Sequence, residues 1–433
     1  MNTSKYLYHL LYFFYIIFFI SVICSFRAIS SIVMALILLT SLFKNKIDTG
    51  MFFNKNIKNN FTIGCCIFYL LQTASLLYTH NLPESITHLR IKSALIFIPF
   101  ALCCSNYITP LMRQKLMRYY VWILFVAILY CFVAALNKYY FLHAEKEVFF
   151  YHQLASPFKQ HAVQVSILIF IGLIYLLEIT AKNLYFYNKL IHFLLIIYFL
   201  FCIVMLSSKL VIIFSAVCCL YYLIIFLKKN NKKRRIASVL IFMGIAIITL
   251  VMITRNPVSK RFNEIISGNI SMIQQQKFSP AIYFNGLQFR LLEWRFVSQI
   301  LTENNAWLIG ISPGDAQNFL DQKYISTKMY IGEPGGSDLG FLGYNTHNQF
   351  LESVLQTGIL GLLAFIFICY SMVRLALKRK SRELSFIVTL LIAYAFTESF
   401  FETQYGIVLI TFFPLFIYYG TEIKCDNISR ERI

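Results

Sequence analysis

Apolar residues in this chain gather into long runs separated by short polar segments. A helix needs about 20 apolar residues to cross the ~30 Å hydrocarbon layer of a bilayer. On that basis the runs predict spans at 6–26, 29–43, 61–79, 91–108, 119–137 and 161–180, then at 187–206, 210–227, 236–254, 349–373, 384–399 and 404–421. The first run lacks a small-x-small cleavage site and is expected to be retained rather than removed as a signal peptide. The pattern predicts an all-α polytopic transmembrane bundle of about 12 spans. It has three parts: spans one to nine over 1–254, a large loop over 255–348, and spans ten to twelve with a tail over 349–433.

The loop breaks the pattern. It carries Pro257, Pro280, Pro313 and Pro334 and a glycine-rich stretch, GEPGGSDLG, at 332–340. Loops of such length are usually functional. Within it Leu287, Leu291, Trp294, Val297 and Leu301 recur at three- and four-residue spacing, which predicts an amphipathic helix over 286–302.

Composition narrows the class. Hydrophobic residues make up 58% of the chain and charged ones only 13%. So few charges could not cover a water-exposed surface, which excludes a soluble enzyme and a disordered chain. The net charge of +20 comes from short basic clusters between apolar runs, such as Lys228-Lys229 and Lys232-Lys233-Arg234-Arg235. That placement is a topology signal rather than a nucleic-acid groove. An N-terminus in the cytoplasm puts the dense clusters inside, so both termini are expected to be cytoplasmic and the large loop periplasmic. The eleven Cys show no Cys-x-x-Cys spacing and are expected to serve packing, with no metal and no disulfide framework.

Candidate chemistry follows from where ionisable residues sit. The interiors of the expected spans hold almost no Asp, Glu, Lys or Arg. A charge at mid-membrane is costly and normally marks an ion or proton path, so this scarcity argues against a pump, an ion-coupled transporter or a voltage sensor. The outer ends of the spans, by contrast, collect His161, Lys209, Arg290, Glu293, Arg295, His347, Glu398 and Glu402. Each has a plain structural reading. His347 can be an exposed loop histidine, Lys209 a snorkelling interfacial lysine, and Arg290 with Glu293 a helix-surface pair. Glu398 and Glu402 can solvate a turn, and His161 can cap a helix. The glycine-rich stretch is not a phosphate cradle, because neither GxGxxG nor GK[ST] occurs there. With no nucleotide motif, no cofactor is expected, and any substrate must arrive already activated.

Four segments resemble the O-antigen ligase and polymerase family of bacterial membrane glycosyltransferases: LSSKLVIIF (206–214), RLLEW (290–294) with WLIGISPGD (307–315), NTHNQFLESVLQTGILGLLAF (345–365), and FTESFFETQYGIVLITFF (396–413). HAVQVSIL (161–168) is similar to a histidine-led span start of that family. The resemblance implies metal-independent, inverting glycan transfer at the periplasmic face of the inner membrane. The donor is then an undecaprenyl-diphosphate-linked glycan and the acceptor a hydroxyl of lipid A–core; a repeat-unit polymerase, or a protein-glycosylating relative, is the alternative within the class, and a lipid-linked glycan flippase or transporter the alternative from another. His347 maps onto the family's essential histidine, expected as general base, and Arg290 onto a diphosphate-binding arginine. Lys209 stands where the family commonly has arginine, keeping the charge without the bidentate fork. Asn348, Glu398 and His161 are expected to orient the base or the acceptor.

Overall fold

Helices replace nearly every apolar run. The computed structural model describes residues 2–53, 58–103, 107–229, 270–333, 336 and 338–421. In order these give α1 (Asn2–Ile23), α2 (Arg27–Thr49), α3 (Asn60–Ala74), α4 (Leu82–Lys92), α5 (Ala94–Cys103), α6 (Pro110–Phe141), α7 (Ala162–Ala181), α8 (Lys189–Met205) and α9 (Lys209–Lys229). The loop supplies α10 (Gly286–Glu303) and α11 (Ala316–Ser326), and the C-terminal part α12 (Gln349–Arg379), α13 (Arg382–Ala395) and α14 (Gln404–Tyr419). The span expected at 236–254, the cluster at 232–235, Pro257, Pro334 and the basic tail residues Lys424, Arg430 and Arg432 lie outside the described residues.

Eight helical stretches among the described residues are long and apolar enough to cross a bilayer. They are α1, α2, α3 with its extension to Leu77, α4 and α5 taken together, α6, α7, α9 and α12; α8 and α14 are shorter apolar helices. The protein is therefore a polytopic helical membrane protein. Apolar on every face, α7 sits at the centre with almost all of its side chains buried, packed on α6, α8 and α9. Around it α1 packs on α2, α3 on α12, and α5 on α14.

Two expected spans need correction. The one placed at 91–108 begins earlier, at Leu82, with Asn81 accepting from the Glu84 amide at the cap. Its first half, LPESITHLRIK, is too polar for an apolarity window, yet it is helical because its polar side chains meet partners inside the bundle. The one placed at 384–399 is a helix of 14 residues, only about 21 Å long at 1.5 Å per residue.

Each end of the bundle has its own chemistry. At one end Arg113 binds Glu383, Arg382 binds Glu178 at 3.0 Å, and Lys44 binds Ser4 at 2.7 Å. At the other end the loop folds over a separate core formed by Phe284, Phe289, Leu292, Phe296 and Ile300 together with Val354 and Leu355 of α12. The face predicted for α10 was rotated. Val297 and Leu301 are buried, but Leu287 and Trp294 are exposed, and the inward stripe is Phe289, Leu292, Glu293, Phe296 and Ile300. The buried carboxyl of Glu293 is what an apolar count could not anticipate.

α12 is broken where the loop meets it. Thr357 (φ −134°, ψ 20°) and Gly358 (φ 66°, ψ −163°) leave the helical region. The carbonyls this break releases do not go unpaired: Ile311 N–H donates to Leu355 O at 2.8 Å and Ser312 N–H to Gln356 O at 3.0 Å. On the far side Ile359 N–H donates to Trp307 O at 2.8 Å. A Cβ at Gly358 would stand 2.2 Å from Leu308 O, and one at Gly310 would stand 2.4 Å from Thr357 N. Glycine is needed at both places.

Candidate functional site

The site is built where the loop returns to α12. Asn348 caps that helix, its Oδ1 accepting from Phe350 N at 2.9 Å and Leu351 N at 3.2 Å. One residue earlier the backbone turns left-handed at His347 (φ 45°), held by Asn345 Oδ1 accepting from His347 N at 3.0 Å. That turn points the imidazole out of the helix line and into a cleft of about 540 Å³ whose lining includes Arg290, Phe289, Phe341, Tyr344 and Asp338. His347 and Arg290, 57 positions apart in sequence (347 − 290), thus face one cavity.

Glu398 completes the pair. Its Oε1 lies 3.2 Å from His347 Nδ1. Burial alone would raise the carboxyl's pKa, but the hydrogen bond with His347 and the electrostatic pull of His347, His161 and Arg290 outweigh it and bring the pKa below the ordinary value. Arg290 is anchored at two carbonyls, Gly286 O through Nη1 at 2.9 Å and Thr397 O through Nη2 at 3.0 Å. The arginine is thereby tied to the residue next to Glu398. The expected helix-surface pair between Arg290 and Glu293 is not the arrangement here, since Glu293 is fully buried and meets Tyr324 instead.

The residues on either side of His347 are tied to the same turn. Ser399 Oγ accepts from Asn348 N at 3.1 Å and lies 3.0 Å from Thr346 Oγ1, which in turn donates to Glu352 Oε2 at 2.8 Å. His161 caps α7, its Nδ1 accepting from Val163 N at 3.4 Å. It acts on Glu398 through charge and touches the ring of His152 at 4.4 Å between centroids. Lys209 is half-buried at the start of α9 and is not among the residues that line the cleft.

Beneath the turn lies a buried charged cluster that sequence reasoning missed. Lys92 Nζ, with no solvent exposure, donates to Gln72 Oε1 at 3.0 Å and Gln356 Oε1 at 2.5 Å and lies 3.2 Å from Glu402 Oε1. Glu402 Oε2 lies 2.9 Å from His88 Nδ1, and Gln356 Nε2 donates to Glu352 Oε1 at 2.6 Å. The expectation of nearly charge-free spans is therefore corrected: Lys92 lies inside Leu82–Cys103 and Glu352 inside Gln349–Arg379. Lys92 is paired with Glu402, and Gln356 bridges it to Glu352. The signal was available, because Lys92 and Glu352 were visible in the sequence, but their pairing depends on contacts more than 250 positions apart (356 − 92).

Residues 194–366 match the family model described as O-antigen ligase. This stretch is an O-antigen ligase domain. The O-antigen ligase match runs from α8 into the second half of α12 and takes in Lys209, Arg290, His347 and Asn348. His161 and Glu398 reach the same site from outside the matched stretch. Over residues 194–366 the match is to a family of ligase- or polymerase-type membrane glycosyltransferases. No curated protein matches the chain at a significant level.

Proposed function

We propose that the protein transfers a glycan from undecaprenyl diphosphate to a hydroxyl of lipid A–core at the periplasmic face of the inner membrane, with His347 as general base. The observation that carries this reading is the shared cleft of His347 and Arg290, with Glu398 on His347 Nδ1. With Nδ1–H given to an ionised Glu398, Nε2 is the basic nitrogen and takes the proton of the acceptor hydroxyl. The freed oxygen attacks the anomeric carbon from the face opposite the leaving group, and the bond from that carbon to the diphosphate oxygen breaks. The electron pair leaves with the lipid diphosphate, whose charge the Arg290 guanidinium offsets. Glu398 stabilises the imidazolium that results. The aromatic rings of Phe289, Phe341 and Tyr344 offer apolar faces for sugar rings. Lys209 is a second positive group for the donor. The twelve-span topology with both termini cytoplasmic belongs to this reading, because it puts the cleft in the periplasm.

The test is complementation of a strain lacking the gene, with surface glycan resolved on a gel. Wild type restores capped lipopolysaccharide, and His347→Ala, although inserted normally, does not. Restoration by His347→Ala refutes the base assignment. Glu398→Gln keeps a contact to the ring but not the charge, so its turnover is expected to fall about tenfold to a hundredfold, the range of one general-base partner. Capping by single repeats in the deletion strain, rather than loss of all capping, makes the protein a repeat-unit polymerase.

A further inference from the structure

Glu293 is the buried acid that the proposed transfer leaves unused. It lies on α10 with no solvent exposure. Tyr324 of α11 places its hydroxyl 2.9 Å from Glu293 Oε1 and 2.8 Å from the carbonyl oxygen of Tyr344, three residues before His347. A phenol has one hydrogen, and a carbonyl can only accept. If Tyr324 donates to Tyr344 O, the contact with Glu293 needs a hydrogen from the carboxyl. The groups acting on Glu293 fit a carboxyl that keeps its proton. Tyr324 and Asp321 face it from α11 and Glu352 from α12, and both of these acids oppose a negative charge. Its second oxygen, Oε2, is buried and has no hydrogen-bond partner among the described residues, a position far costlier for an anion than for an acid. Burial, above all, pushes its pKa well up.

We propose that Glu293 is a positioning residue for His347: a neutral carboxylic acid that donates to Tyr324, so that the phenol hydrogen is held on the Tyr344 carbonyl and the turn carrying the imidazole is pinned. α11 grips that turn elsewhere as well, through Gln317 Nε2 donating to Tyr344 O at 3.1 Å and Asp321 Oδ1 accepting from Gly343 N at 2.9 Å. Phe289 and Tyr344 carry the constraint to the ring of His347, at centroid distances of 6.0 and 5.7 Å. When Glu293 ionises, the phenol hydrogen swings to the carboxylate and Tyr344 O keeps Gln317 alone. The sign follows from linkage. The unfolded chain releases this proton above about pH 4.3 and the fold retains it, so the contact is complete at low pH and is lost as pH rises through the folded value.

The inference rests on His347 being the reacting imidazole, and its test has two arms that need no glycan. Purified full-length protein in lipid nanodiscs at neutral pH is expected to show the infrared C=O band of a protonated carboxyl that Glu293→Gln removes. Absence of that difference band overturns the proposal, whatever the transfer assay gives. Carbethoxylation of His347 by diethyl pyrocarbonate, read by mass spectrometry of its peptide, is expected to follow different pH profiles in wild type and Glu293→Gln at alkaline pH. Identical profiles also overturn it. In the transfer assay Glu293→Gln, whose amide still donates but cannot ionise, is expected to keep neutral-pH turnover and lose the alkaline fall. Tyr324→Phe is expected to lower kcat about tenfold, the equivalent of one hydrogen bond. An unshifted alkaline limb in Glu293→Gln would sink the positioning role while leaving the transfer reading intact.

Discussion

At Lys92 an ammonium group sealed from solvent is balanced by one carboxylate and two amide oxygens. Removing one partner of such a pair strands the other, at a cost of about 3–5 kcal/mol. Lys92→Met is therefore expected to lower the thermal unfolding midpoint in detergent sharply, and Lys92→Met combined with Glu402→Gln to recover most of the loss. Glu402 also sets an acid limit. Burial alone would raise its pKa, but Lys92 and His88 dominate and bring it down to about 2. The stability this carboxylate contributes is present above its unfolded value of about 4.3 and is lost as pH falls toward the folded one. Thermal unfolding followed into the acid range is expected to show the loss in wild type and not in the double variant. His347 and Arg290 could be proposed from the sequence because residue type and local motif single them out. Lys92, His88 and Glu352 were not, because an isolated charge near an apolar run looks the same whether it snorkels or is paired inside.

Among the elements, the break in α12 does the most to place the site. It interrupts the helix at Thr357 and Gly358, and its released carbonyls hold the segment 307–312 that leads into α11. Gly358→Ala puts a Cβ against Leu308 O at a positive φ. Backbone strain of that kind costs roughly 1–3 kcal/mol before any clash. The expected outcome is an inserted protein whose loop is cut faster by limited proteolysis and whose transfer is reduced; unchanged proteolysis would show that the break is not needed to hold the loop. Helix existence was readable from apolar runs, and α10 appeared within a residue of its predicted bounds. Its phase was not readable, because Glu293 turns inward on the strength of a tyrosine from another helix. α4 was hidden for the same reason, since Lys92 and His88 on its polar face find partners on α3, α12 and the turn at 402.

The whole molecule is divided between its ends, with arginine and lysine paired to Glu178 and Glu383 at one end and the cleft at the other. From the positive-inside bias the first end is expected in the cytoplasm. A cysteine introduced at exposed Gln299 in α10 is expected to react with a membrane-impermeant thiol reagent in intact cells. One at exposed Lys378 near the end of α12 is expected to react only after permeabilisation. The reverse pattern would put the cleft in the cytoplasm and end the proposed reaction with a periplasmic acceptor. By itself the sequence determined the solvent and the helical class and singled out the residues proposed as the reacting pair, because hydropathy over twenty positions and short motifs are local properties. Only the tertiary structure decided that Glu398 backs His347, that Lys92 is neutralised and that Glu293 faces inward. Each of these depends on which distant group closes the space around a side chain, and burial, not residue type, determines whether a charge can stay.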